Sequence, residues 1–312
     1  MLGYGIRRVL MAIPTLLAVL TIVFLLVRVL PGDPAEVLLG DYASEKVLNE
    51  LRETMGLNKP LVLQYIDFLK GLLQGDLGVS LINGFPVWDQ IARALPYSLQ
   101  LTISGIFFGM IFGVPLGIFT ALHRNRLNDY LGRTFSLIGQ SIPSFYLGLL
   151  LMLLFSVKLR LFPIIGGGDL TDLKDTLHHL FLPGLAIGLI MAAYITRMSR
   201  SVMLNVLSED YVRTARAKGL EERIVIYKHA FKNSLVPIIS ITGVYSILII
   251  GTSIMVEIIF SRPGLGKMMV GAMLERDYIV LQSTMVVYSV IVVVVNLLTD
   301  LAYSLVDPRI RY

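Results

Sequence analysis

The sequence contains no cysteine in 312 residues. That excludes disulfides, a thiolate nucleophile and a Cys-ligated metal. Charge is scarce as well. Only 16% of the residues are Asp, Glu, Lys or Arg, against about 25% in a soluble domain. Within 97–122, 134–157, 181–196, 234–256 and 278–299 there is none at all. Ion- and proton-coupled carriers place ionisable groups at membrane depth, because something there must carry the coupled charge. Their absence argues against such a carrier, although carbonyls and hydroxyls bind sodium. An ion-coupled secondary transporter of small solutes is therefore the alternative reading. Catalytic motifs are missing too: neither G-x-S-x-G nor H-E-x-x-H occurs. His178 and His179 are adjacent, and neighbours on one helix face different ways, so no metal is expected there. "SRPGLGKM" falls short of a phosphate loop, with Ser261 where Gly is required and Met268 where Ser or Thr is required.

What the sequence has is apolar length. Hydrophobic residues make up 55% of the chain, and the mean hydropathy is +0.74. Runs near or above the ~18 residues that mark a bilayer span recur. They predict an all-α, polytopic membrane protein, a single domain over 1–312. Its six transmembrane helices fall at about 9–30, 97–122, 134–157, 181–196, 234–256 and 278–299, the fourth being the shortest. Arg7 and Arg8 precede the first run as in a signal peptide. The run is too long for an h-region and no small-x-small site follows, so it reads as a retained span.

Orientation follows from Lys and Arg. With the N-terminus in the cytoplasm, 15 of the 27 basic residues fall inside, with 7 acidic ones; the other side holds 12 basic and 15 acidic. The inner set comprises Arg7, Arg8, Arg124, Arg126, Arg133, eight residues between Arg197 and Lys232, Arg309 and Arg311. The short loops agree with the positive-inside rule, so both termini and 197–233 are expected in the cytoplasm and 31–96 outside. The pI of 9.3 is accordingly a matter of topology, and no nucleic-acid partner is expected. Arg28 is placed to snorkel from the first span to the headgroups.

The outer segment 31–96 reads as short amphipathic helices lying on the membrane or offering a docking surface. Ser44 is a candidate N-cap for a stripe of Val47, Leu48, Leu51 and Met55, with Gly56 as the stop. Pro60 opens a second helix with Tyr65, Phe68, Leu69, Leu72 and Leu73 on one face. Trp88, the only tryptophan, precedes the second span where an aromatic belt is expected. Within the second span Gly105, Gly109, Gly113 and Gly117 repeat every four residues, a stripe that lets another helix backbone approach. Pro115 lies in the same helix and removes one backbone bond. In the third span Gln140, Ser141 and Ser144 surround Pro143, so they are candidates either for a water-filled translocation path or for interhelical hydrogen bonds.

Charge concentrates in "EDYVRTARAKGLEERIVIYKHAFK", where 10 of the 24 residues at 209–232 are charged. Ser208 is the expected cap, Glu209 and Asp210 suit the first turn, and Arg216 and Lys218 suit the last turn before Gly219. Tyr211, Val212 and Ala215 form a small apolar stripe. A second helix would carry Ile224, Tyr227 and Phe231 on one face. A short capped helix at a loop apex is suited to a groove on a partner.

"EDYVRTARAKG" followed by "KHAFKNSLVPI" resembles the cytoplasmic coupling loop of ABC-importer permeases of the dipeptide/oligopeptide/nickel branch. "LPGDP" at 30–34, "MGLNKPLVLQYIDFLKGLLQGDLGVSL" at 55–81, "FSRPGLGKMMVGAMLERDY" at 260–278 and the closing "DPRIRY" match that branch in order, so the resemblance is nearly full length. Arg213, Thr214 and Ala215 stand at the "EAA" positions of the general pattern, a departure the peptide branch shares. The resemblance implies the type I ABC importer permease fold, half of a translocation pore, and no cofactor or catalysis in this chain. It places ATP and Mg on one or two cytoplasmic ATPase subunits. It further implies a second homologous permease subunit, an extracytoplasmic solute-binding protein, and the prokaryotic inner membrane with its lipid. Contact with the ATPase would fall to Tyr211, Arg213, Thr214, Ala215, Arg216, Lys218, Gly219, Leu220 and Glu221. The cargo would be di- or oligopeptides, with nickel or glutathione as options within the branch.

The predicted topology is open to single-cysteine labelling, with no native thiol to interfere. A cysteine at Arg124 should react only from the cytoplasmic side and one at Lys59 only from outside; cytoplasmic labelling at position 59 would overturn the topology.

Overall fold

The computed structural model describes residues 2–29, 35, 39, 44–54 and 56–306. Leu30, "LPGDP", Met55, Arg309, Arg311 and the closing "DPRIRY" lie outside them. Among the described residues the elements are helices: α1 (Leu2–Val29), α2 (Glu45–Thr54), α3 (Leu61–Leu73), α4 (Val87–Leu122), α5 (Leu127–Ser141), α6 (Ser144–Lys158), α7 (Leu173–Leu207), α8 (Asp210–Ala217), α9 (Glu222–Ile259), α10 (Leu265–Leu274) and α11 (Tyr278–Val306). Parts of α1 and α11, with all of α4, α7 and α9, are long and apolar enough to cross a bilayer, and α5 with α6 supplies a sixth, broken crossing.

Two spans differ from expectation. The fourth is not short: α7 runs for 35 residues. Its flanking charges, Lys174 and Asp175 at one end and Arg197 and Arg200 at the other, lie on the same helix, which apolar windows truncate. The third is not one rod: α5 and α6 meet at 102°. Pro143 removes a donor and forces the preceding Ile142 into an extended conformation, φ −92° and ψ 126°. The final turns of α6 widen to π-type spacing from Met152 to Lys158.

The chain forms two compact units. One comprises Tyr97–Arg262 with the described residues of 1–9 and 294–312. Its core gathers Leu101, Ile187, Met191, Ile195, Ile249, Val256 and Phe260. In it, the glycine stripe of α4 faces α7. A β-carbon built at Gly109 would stand 2.6 Å from Met191 Cγ, one at Gly113 2.9 Å from Ala192 O, and one at Gly117 2.7 Å from Thr196 O. Reciprocally, Gly188 of α7 lies against Phe108 and the Gly105 carbonyl. Thr196 adds a hydrogen bond, donating to Gly113 O at 3.3 Å. Lipid tails are as apolar as a leucine side chain, so helix association in a membrane relies on such close packing.

The other unit comprises Leu10–Pro96 and Pro263–Val293. The α3 face of Phe68, Leu69 and Leu72 does not simply lie on a membrane: it packs against Leu20 and Val23 of α1 and Val286 of α11. Leu73 leaves this face and is 89% exposed. Pro60 stands at the N-cap, one residue before the helix. Phe24 and Tyr65 meet edge-on at 5.3 Å, and the Tyr65 hydroxyl lies 2.6 Å from Thr21 Oγ1. A second core joins Val87 and Ile91 to Leu265, Val280 and Leu281. The Ser80 hydroxyl donates to buried Asp277 at 2.5 Å.

Gly109→Leu should drive α4 and α7 apart, because the leucine must occupy the volume of Met191. Overpacking of this kind costs about 1–3 kcal/mol or more. The expected result is a lower melting temperature and reduced yield in detergent, and an unchanged melting curve would show that the stripe tolerates bulk.

Candidate functional site

The charged stretch folds as a helix-turn-helix. The helix α8 begins one residue later than the caps suggested. Glu209 occupies the N-cap without a side-chain bond, whereas Ser208 closes α7, its hydroxyl donating to Asn205 O at 2.6 Å. Glu209 O already accepts the Val212 and Arg213 amides, which defines the start. At the far end Lys218 is the C-cap and Gly219 takes φ +78°. Its amide donates to Arg216 O at 2.9 Å. This left-handed residue lets the chain reverse into α9. A β-carbon at Gly219 would meet nothing within 4 Å, so the position demands glycine for its conformation alone.

The apolar stripe of α8 divides. Val212 and Ala215 are buried against Val225 and Leu207, and Tyr211 is 41% exposed. In the second helix the three apolar residues of the expected face do not share one environment. Val225 and Ala230 face inward, while Ile224 and Tyr227 are exposed and Phe231 is half-buried. The helix takes π-type spacing over Val225–Phe231, and Phe231 with Ile226 packs against Ile118, Met203 and Ala230. Across the turn Arg216 donates from Nη2 and Nε to the two Glu222 oxygens at 2.7 and 3.1 Å. That carboxylate raises the Arg216 pKa above its ordinary value. The solvent side therefore presents Tyr211, Leu220, Ile224 and Tyr227 among Arg213, Thr214, Lys218, Glu221, Arg223 and Lys228, all exposed.

Gln140, Ser141 and Ser144 straddle the α5–α6 bend. The Ser141 hydroxyl donates to Leu137 O at 2.9 Å. Gln140 Nε2 is buried with no acceptor among the described residues. Ser144 is half-buried as the first residue of α6. The three residues are thus adjacent without bonding one another.

Two charge clusters were not singled out by the sequence reading. In the first, fully buried Asp129 of α5 accepts from Nε and Nη2 of Arg200 on α7 at 2.6 and 2.8 Å. It also accepts from Nε and Nη2 of Arg133 at 3.2 and 2.8 Å and from the Asn125 amide at 2.9 Å. In the second, α9 continues to Ile259, past the expected span end at 256, and so carries Glu257 into the packed interior. The Ser98 hydroxyl donates to it at 2.6 Å. Arg262, also fully buried, lies beside it, donating to Gln100 Oε1 at 3.3 Å and to His179 O at 3.4 Å, with the Tyr97 ring 5.6 Å away. Burial pulls its pKa down to about 10, so it remains a cation at neutral pH. The acid–base pairing at 129/133 was a visible i,i+4 signal; the partners at 200, 98 and 262 are distant in sequence and left no periodic trace. His179 pairs with Asp175 at 3.2 Å, and no group of metal-ligating side chains occurs among the described residues.

Such an arrangement, with apolar crossings, charges compensated where buried and an exposed capped loop, belongs to polytopic membrane components that work through partners. The chain belongs to the family described as binding-protein-dependent transport system inner membrane component, which matches residues 113–312, with the corresponding N-terminal family matching 1–102. It is an inner membrane protein of that kind. It is 42% identical over its whole length to the glutathione transport system permease protein GsiC of Pectobacterium atrosepticum and 40% identical to that of Escherichia coli, covering all of each. In fold it resembles a chain of the inward-facing MetNI methionine ABC transporter, with a TM-score of 0.57 and 20% identity over 70% of this chain and 96% of the other.

Asp129→Asn should leave Arg133 and Arg200 without their shared anion. Breaking a buried pair costs about 3–5 kcal/mol, and the lower end is expected because both arginines reach solvent. Arg133→Gln should cost less than Arg200→Gln, since the Arg133 side chain is 43% exposed and that of Arg200 16%. Thermal unfolding in detergent ranks the three; a neutral Asp129→Asn would contradict the clamp.

Proposed function

We propose that this chain forms half of the membrane pathway of an ATP-driven importer, paired with a second related permease. Residues 197–233 are its cytoplasmic coupling loop. One or two ATPase subunits, which hold ATP and Mg, dock on α8 and the turn at Gly219. An extracytoplasmic solute-binding protein delivers the solute. The observation that carries this reading is the surface around Gly219: a rigidly terminated short helix whose exposed side combines Tyr211, Leu220, Ile224 and Tyr227 with five basic residues. Exposed aromatic and aliphatic groups among cations suit insertion into a partner's groove. The proposed cargo is a short peptide of the glutathione type, supported by relatives that match from end to end and carry that name. Gln140, Ser141 and Ser144 at the α5–α6 bend are the proposed polar lining of the path, and 31–96 is the proposed outer segment.

The buried Glu257 modifies the case against an ion-coupled carrier without reversing it. Glu257 accepts from Ser98 and lies beside buried Arg262, so its partners are structural ones that join α9 to α4.

Gly219→Val should force a β-branched residue into the left-handed region, at about 1–2 kcal/mol of local strain, and displace the apex. Arg216→Gln removes an exposed pair worth up to about 1 kcal/mol. The glycine change should therefore cause the larger loss of ATPase co-purification and of solute-stimulated hydrolysis, at equal membrane levels of the chain. Normal ATPase binding by Gly219→Val would identify the stretch as a solvated loop.

A further inference from the structure

A cavity of about 290 Å³ opens between α5 and α7, lined by Arg133, Arg197 and Arg200 with Ser136, Leu137 and Thr196. The pore and coupling roles proposed above leave it unused. Its electrostatics are unbalanced. Among the described residues the carboxylate bonded to these arginines is that of Asp129, and its two oxygens already accept from four guanidinium nitrogens and a backbone amide. One negative charge thus serves two cations, and the third, Arg197, lines the cavity, exposed and hydrogen-bonded to the neutral Tyr245 hydroxyl. Two positive charges remain uncompensated. Asp129 engages Arg133 and Arg200 through Nε and Nη2, so Nη1 of each stands outside this clamp.

The surroundings are apolar. Leu137 lines the cavity and, with Ile138 beyond it on the membrane side of Arg133, is more than half exposed. A soluble anion has no use for such a flank. A ligand with an anionic head and hydrocarbon tails uses both. Arginine forks match phosphate oxygens bidentately, and basic pockets between helices at a membrane surface suit acidic lipid headgroups.

We propose that this cavity binds the phosphate of an anionic phospholipid, the headgroup held by Arg197 with Arg133 and Arg200 and the acyl chains lying along the exposed side of α5. The inference rests on the membrane reading of the chain and not on ATPase coupling.

The test uses the full chain with Trp88→Phe, which removes the only tryptophan, and Leu137→Trp as a reporter at the cavity. The protein is reconstituted in phosphatidylcholine containing either brominated phosphatidylglycerol or brominated phosphatidylcholine. The anionic lipid should quench the reporter with roughly thirtyfold preference at low salt, from about 1 kcal/mol for each of the two uncompensated cations. Arg197→Gln, which leaves the Asp129 clamp intact, should lower that preference about fivefold, and Arg197→Lys should largely retain it. Equal quenching by the two lipids, or an unchanged preference in Arg197→Gln, would overturn the proposal. So would the absence of quenching by either lipid, which would mean that protein covers the cavity. Relief of quenching by millimolar inorganic phosphate would assign the site to a free anion. No ATPase enters this measurement, so failure of the importer reading would appear only in co-purification.

Discussion

The contact between α4 and α7 is the constraint on which the larger unit depends. A bilayer supplies no hydrophobic drive between two apolar helices, so association must come from dispersion and from the loss of lipid contact. Dispersion is short-ranged, and a gap of even half an ångström forfeits a good part of it. Gly105, Gly109, Gly113 and Gly117 remove side chains along one line of α4, and Ile187, Met191, Ile195 and Ser199 of α7 fill that line. The reciprocal positions, Gly184 and Gly188, accept Ser104 and Phe108. Interlocking in both directions makes α7 the most buried of the long helices, and from it Arg200 reaches Asp129.

Charge is treated consistently. It is kept out of the middle of the crossings and, where buried near their ends, it is paired: Asp129 with Arg200 and Arg133, Arg8 with Asp300 at 2.9 Å, and Glu257 with Ser98 beside Arg262. Isolated, each would carry a desolvation cost of several kcal/mol. Paired, each ties two segments distant in sequence at a defined point. Around the cavity between α5 and α7 cations are in excess, and along 209–232 a dense run of charge is exposed. These are the two places proposed above to meet something other than the chain itself.

The loop at 209–232 combines a rigid base with an open face. Val212, Ala215 and Val225 lock its two helices against Leu207, and Gly219 sets the reversal by a conformation that other residues resist. Tyr211, Leu220, Ile224 and Tyr227 are left outside. A surface held this way suits the coupling role proposed for it, because its base is packed on the end of α7.

Much of this protein was legible in the sequence because it follows from local chemistry. Apolar length marked the crossings, scarcity of charge marked the bilayer, glycine at every fourth position marked a helix seam, and Gly219 after a basic turn marked a helix stop. Each signal is carried by residues within a few turns of one another. The tertiary structure alone decided where the seam lies, the 102° bend at Pro143, the π-turn at Val225–Phe231, and the burial of Asp129, Glu257 and Arg262. The physical reason is range. Helix formation and membrane partition act through neighbours in the chain, whereas desolvation and ion pairing depend on groups as far apart as Asp129 and Arg200 or Ser98 and Glu257, whose meeting is fixed only when the helices pack.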